Sequence, residues 1–112
     1  MNSVNLVGRL GGDPELKTVG DSVVANFSIA TDRREKGEKV TDWHRCSLWG
    51  KSAQVLSDNL KKGDVLGVTG AVTYRKYTNK DGVETTATEI KCNNFSFIPG
   101  ANRREDDDGE KF

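Results

Sequence analysis

Proline, cysteine, histidine and long apolar runs are all scarce in this chain, and each scarcity narrows what it can be. The 112 residues include two prolines, two cysteines and one histidine. Cys46 and Cys92 lie far apart in sequence with no C-x-x-C spacing, so neither a disulfide framework nor a zinc site is indicated, and reduced core thiols are expected. His44 has no nucleophile and orienting acid marked to converge on it, which argues against Ser/His/Asp or Cys/His catalysis. The glycines form neither a G-x-G-x-x-G nor a P-loop motif, and the densest carboxylates sit at the C-terminus. A nucleotide cofactor therefore has no cradle, and paired acids for metal-assisted cleavage are hard to place. The expectation is a protein that is not an enzyme and needs no cofactor and no metal. No apolar run approaches membrane-spanning length, and the opening Met1-Asn2-Ser3-Val4-Asn5 lacks the charged start and apolar stretch of a signal peptide. The protein is expected to stay in the compartment where it is made, away from any membrane.

What is present is glycine and charge. Twelve glycines favour short strands joined by tight turns over a helical bundle, and 34% hydrophobic content suggests one domain with a thin core and a solvated segment. The net charge is zero, but residues 105–112 hold five acids and one base, leaving residues 1–104 with 16 bases and 12 acids. A mildly basic body suits a polyanion.

The organising stretch is Trp43-His44-Arg45-Cys46-Ser47-Leu48-Trp49-Gly50-Lys51. As a β-strand it points Trp43, Arg45, Ser47 and Trp49 one way and His44, Cys46 and Leu48 the other. The second face can be buried. The first holds two indoles about 20 Å apart with a guanidinium between them, costly in water unless something flat and anionic lies there. Single-stranded nucleic acid fits, with bases stacked on the rings and Arg45 and Lys51 reaching phosphates.

The rest of the chain frames that strand. Val4, Leu6 and Leu10 alternate into Gly11-Gly12-Asp13-Pro14, a first strand and its turn, and Val23, Ala25, Phe27 and Ile29 mark a second strand. Residues 15–22 between them are ambiguous. The run Asp32-Arg33-Arg34-Glu35-Lys36-Gly37-Glu38-Lys39 reads as an exposed charged loop, either a solvated hairpin tip or a phosphate contact through Arg33 and Arg34. Ala53, Leu56 and Leu60 share one face of a short helix over 52–62, with Ser52 as cap and Lys61 and Lys62 at its end before Gly63. Leu66, Val68, Gly70 and Val72 run into Thr73-Tyr74-Arg75-Lys76-Tyr77, and Asn79-Lys80-Asp81-Gly82 turns back into a fifth strand. Arg75, Lys76 and Tyr77 repeat the mixture of cations and stacking groups. Tyr74 alternates away from Tyr77, towards the barrel interior or a subunit contact.

Three strands, a helix and two strands predict an all-β domain with one short helix: an OB-fold, a five-stranded Greek-key barrel with a protruding hairpin between its fourth and fifth strands. Such barrels also bind sugars and proteins, so the site has to argue function. The expected domain spans residues 1–99, followed by a short, acidic, flexible tail over 100–112.

Five segments in this order carry a family likeness: Asn5-Leu6-Val7-Gly8-Arg9-Leu10-Gly11-Gly12-Asp13-Pro14-Glu15, Val24-Ala25-Asn26-Phe27-Ser28-Ile29-Ala30-Thr31, Thr41-Asp42-Trp43-His44-Arg45, Leu48-Trp49-Gly50-Lys51 and Tyr74-Arg75-Lys76-Tyr77. The chain resembles the bacterial-type single-stranded DNA-binding proteins, including those carried by phages, from Val4 to about Ile98. The resemblance implies a usually homotetrameric OB-fold that wraps and protects single-stranded DNA in replication, recombination and repair. It implies a place in the cytoplasm, with the nucleoid or in the host cell of a phage. It puts stacking on Trp43, Trp49 and Tyr77, basic contacts on Lys51, Lys62 and Lys76, and His44 at a subunit contact. The chain departs from the family in three places. Arg33 and Arg34 stand where a further stacking aromatic often lies, Trp49 stands where Phe is common, and the long Gly/Pro/Gln-rich linker before an acidic tip ending in Pro-Phe is reduced. The short tail still offers Asp106, Asp107, Asp108 and a terminal Phe112, a ring and charges able to recruit replication and repair proteins or to cover the basic face. Two other readings remain open: a primosomal protein of the same fold, against which the tail argues, and an RNA-binding barrel.

Overall fold

A strand whose side chains alternate between oil and water needs a sheet that closes over the oily face, and here the closure is complete. A computed structural model describes residues 1–98 of the chain; the tail with Asp106, Asp107, Asp108 and Phe112 lies outside them. The elements are β1 (Val4–Leu10), β2 (Glu15–Val19), β3 (Ser22–Glu35), β4 (Glu38–Trp49), α1 (Lys51–Asn59), β5 (Val65–Thr78) and β6 (Glu84–Phe97). The sheet order is β1-β5-β6-β4-β3-β2. β1 also pairs with β3, Arg9 opposite Ala30 and Leu10 opposite Ile29, so the sheet closes into a five-stranded barrel of the OB type. All pairings are antiparallel except β4 with β6, where Cys46 faces Ile90 and Leu48 faces Cys92.

The ambiguous residues after Pro14 are a strand. β2 pairs with β3 from Glu15 opposite Asn26 to Val19 opposite Ser22, next to the residues of β3 that meet β1. β1 and β2 are thus one barrel strand, broken at residues 11–14, and the protruding hairpin is β5–β6. Only Leu16 of β2 packs against the core. Without a period-two apolar stripe the strand exists chiefly because the edge of β3 offers it hydrogen bonds.

The charged run over 32–39 is a solvated hairpin tip, as one of its two readings has it, but it is a paired ribbon rather than a loop. β3 and β4 stay paired to Glu35 opposite Glu38, and Lys36 and Gly37 turn the chain with φ of 52° and 83°, the sign that tight hairpin turns require. Charge pairs replace a core along this ribbon. Thr41 Oγ1 donates to Asp32 Oδ1 at 2.8 Å, Lys39 Nζ lies 3.5 Å from Asp32, and Arg33 Nε donates to Asp42 Oδ2 at 2.7 Å. The Thr41 hydroxyl, with help from Lys39, lowers the Asp32 pKa below its ordinary value.

The core gathers Leu10, Ala25, Phe27, Ile29, Leu48, Leu56, Leu60, Leu66, Val68 and Ile90, with both cysteines. α1 plugs one end through Ala53 and Leu56, and Leu60, just past its last residue, is buried with them; these are the three residues the sequence spacing predicts. The ends of α1 differ from expectation. Gly50, not Ser52, holds the N-cap position and makes no side-chain cap bond. The helix ends at Asn59, and Lys61 reaches back from beyond it to donate to the Ser57 carbonyl at 3.3 Å. At Gly70, where the β5–β6 register shifts, an added Cβ would fall 2.3 Å from the Lys91 carbonyl oxygen; the bulge needs a residue without one.

Cys46 and Cys92 are free and buried, and contact with Cys92 together with burial pushes the Cys46 thiol far up. Reaction depends on exposed thiolate. DTNB should therefore modify both thiols no faster than the protein unfolds, and rapid labelling in native buffer would contradict their placement.

Candidate nucleic-acid interface

β4 divides its side chains as its alternation requires. Trp43 is 62% exposed and Trp49 41%, while Cys46 and Leu48 between them are buried. Arg45 is exposed on the same side as the indoles and makes no ion pair with any described residue. The pairing with β3 extends this face sideways, setting Ala30 beside Trp43, Ser28 beside Arg45 and Asn26 beside Ser47. His44 is half-buried on the opposite side, its Nε2 hydrogen-bonded to Thr31 Oγ1 at 2.8 Å.

A groove of about 700 Å³ runs along this face, lined by Gly11, Ser28, Trp43, Arg45, Arg75 and Glu89 among others. It brings Arg75, from the second of the two surfaces read in the sequence, against Trp43 and Arg45 of the first. Arg75 is not free. It donates to Glu89 Oε2 from Nη2 at 2.8 Å and from Nε at 3.2 Å, a pairing that raises its pKa further. Its Cζ lies 5.4 Å from the centre of the Tyr77 ring, within cation–π range. Glu89 so places a guanidinium over Tyr77, which is 38% exposed, and part of the ring is already covered.

The other candidate cations lie outside the lining of this groove. Lys51 is exposed at the start of α1, just past Trp49. Lys62 is exposed in the turn after α1, its backbone N–H donating to Asp13 Oδ1 at 2.8 Å. Lys76 is exposed on β5, but alternation puts it on the face of the hairpin away from Arg75 and Tyr77. Tyr74 lies on that same far face, 70% exposed, so of its two expected places the barrel interior is wrong and the subunit contact is left. The β5–β6 hairpin has already left the barrel at this point, and alternation exposes both its sides. Arg33 and Arg34 are at the β3–β4 ribbon: Arg33 is held by Asp42 and by Glu35 at 3.2 Å, and Arg34 Nη1 donates to the Gly37 carbonyl at 3.1 Å. The hydrogen bond to Asp42 raises the Arg33 pKa.

Two groove residues carried no signal of their role. Glu89 sits in an ordinary strand pattern, and its partnership with Arg75 is made across the β5–β6 pairing. Gly11 reads as turn chemistry, yet it lies under the Trp43 ring.

A family model described as the single-strand binding protein family matches residues 1–98. A "Single-stranded DNA-binding protein" of Neisseria meningitidis is 38% identical over 108 residues, covering 91% of this chain and 62% of the relative. One from Enterococcus faecalis is 36% identical over 109 residues, with 94% and 58% covered. "Single-stranded DNA-binding protein 3" of Clostridium acetobutylicum is 41% identical over 102 residues, with 88% and 71% covered. The chain thus spans about three-fifths of the length of the first two relatives.

Proposed function

The chain belongs to the single-strand binding protein family, and from that membership we propose that it binds single-stranded DNA without base-sequence preference. The observation that carries the proposal is the split of β4, with Trp43, Arg45 and Trp49 outside and Cys46 and Leu48 inside. Indoles half in water offer flat faces to unpaired bases, and a base of any identity can stack there. Arg45, Lys51 and Lys62 supply the cations for phosphates, and the binding they give weakens with salt. Arg75, held over Tyr77, extends the basic, aromatic surface onto the β5–β6 hairpin, with Lys76 on the reverse side. Arg33 and Arg34 serve phosphates less well, since each already has a partner.

The biological role follows from the chemistry proposed. A protein that covers unpaired bases protects them during replication, recombination and repair, in the cytoplasm where the DNA lies. A homotetramer would let one strand wrap from one barrel to the next, with His44 and Thr31 near a contact between copies. The 100–112 tail, with Asp106, Asp107, Asp108 and Phe112, would recruit partner proteins beyond the 1–99 barrel. No helix among the described residues is long and apolar enough to cross a membrane.

Titration with oligo-dT tests the reading. Intrinsic tryptophan emission should fall as bases stack on the indoles, with a smaller change for duplex DNA of the same length. Unchanged emission and no binding at low salt would sink the assignment. Tighter binding of oligo-U than of oligo-dT would move the substrate to RNA.

A further inference from the structure

The break between β1 and β2 forms one wall of the groove, and it is unusually well tied. Leu10 N–H donates to the Asp64 carbonyl at 2.9 Å, Gly63 N–H to the Leu10 carbonyl at 2.9 Å, and Gly11 N–H to the Ser28 carbonyl at 3.0 Å. Asp13 Oδ1 accepts from Lys62 N–H at 2.8 Å. The elbow is thereby fixed both to β3 and to the turn after α1. Against this wall lies the six-membered ring of Trp43. An ideal Cβ built on Gly11 would fall 2.4 Å from Trp43 Cζ3 and 3.2 Å from Cε3, where carbon atoms in contact prefer about 3.5–4.0 Å. Among the described residues, and apart from Gly11's own chain neighbours, no atom outside Trp43 would be as close to that Cβ.

We propose that Gly11 is a positioning residue for base stacking: the side chain missing from this elbow lets the Trp43 indole lie against the backbone and sets the angle at which the ring meets a base. The inference rests on the reading of Trp43 as a stacking platform. A methyl group at position 11 requires a movement of about 1 Å to restore ordinary contact. The elbow is hydrogen-bonded on both sides and the indole is more than half in water, so the ring gives way. Gly11 is not among the residues with positive φ, and alanine suits its backbone. The substitution therefore probes the ring and leaves the turn intact. Gly12 is the matched control, since a Cβ there would meet nothing within 4 Å.

The test uses the full chain. With Trp49→Phe, Trp43 is the sole indole, and adding Gly11→Ala should change its emission maximum and its quenching by acrylamide, whereas Gly12→Ala should leave both in place. With both tryptophans present, Gly11→Ala should weaken oligo-dT binding about fivefold or more, the small end of what losing one base–aromatic stack costs. In a Trp43→Ala background the same change should cost nothing further. An equal loss in both backgrounds, or unchanged Trp43 emission and affinity, would overturn the role of Gly11. Failure of the unsubstituted protein to bind oligo-dT would instead remove the reading of the whole face.

Discussion

Leu48→Ala will cost about 2–5 kcal/mol of folding stability, the range for emptying a well-packed leucine site, while leaving every proposed DNA contact in the chain. Leu48 is 1% exposed and sits on the inner face of β4 with Ala25 opposite it on β3 and Cys92 opposite it on β6. Strands on both sides hold the backbone in place, so the site cannot collapse around the smaller side chain. Urea unfolding at one fixed protein concentration reads the loss as a lower midpoint with an unchanged slope. At temperatures where the variant remains folded, its affinity for oligo-dT should match that of the parent. A loss below about 1 kcal/mol would mean that Leu48 does not fill a closed barrel, and the two-faced account of β4 would lose its inner half.

That two-faced strand was the most legible part of the sequence, because period two is a strong signal when one face is mainly apolar and the other is not. Cys46 and Leu48 inside, and Trp43, Arg45 and Trp49 outside, follow from alternation alone. α1 was legible for the same reason, through the spacing of Ala53, Leu56 and Leu60. β2 was not, since its edge is stabilised by backbone pairing to β3 rather than by a buried face. The 32–39 run was legible as an exposed hairpin tip, but its regular pairing was hidden. Eight consecutive residues, seven of them charged, look like loop, but Asp32, Lys39 and Thr41, and Arg33 with Asp42, satisfy one another only when the two strands are placed side by side. Contacts between distant segments were likewise out of reach. Nothing local to Glu89 points to Arg75, and nothing local to Gly11 points to an indole more than thirty residues away.

The counterpart on the outer face is Trp43→Ala, which should weaken binding of oligo-dT by about 1–3 kcal/mol, the value of one base–aromatic stack, and disturb folding far less than Leu48→Ala does. Trp43 is 62% exposed, so its removal leaves little of the core uncovered. Anisotropy of a labelled oligonucleotide gives the affinity without relying on the lost indole. Salt dependence then separates the two kinds of contact. Trp43 carries no charge, so the slope of log affinity against log salt should be the same in parent and variant, with the whole line displaced. Arg45→Ala should instead flatten the slope by about one ion. If Trp43→Ala flattened it as well, the indole would be acting through the cations beside it rather than by stacking; if affinity did not change at all, bases would have to lie elsewhere on the barrel, and the groove between the β1–β2 elbow and the β5–β6 hairpin would lose its claim to the DNA.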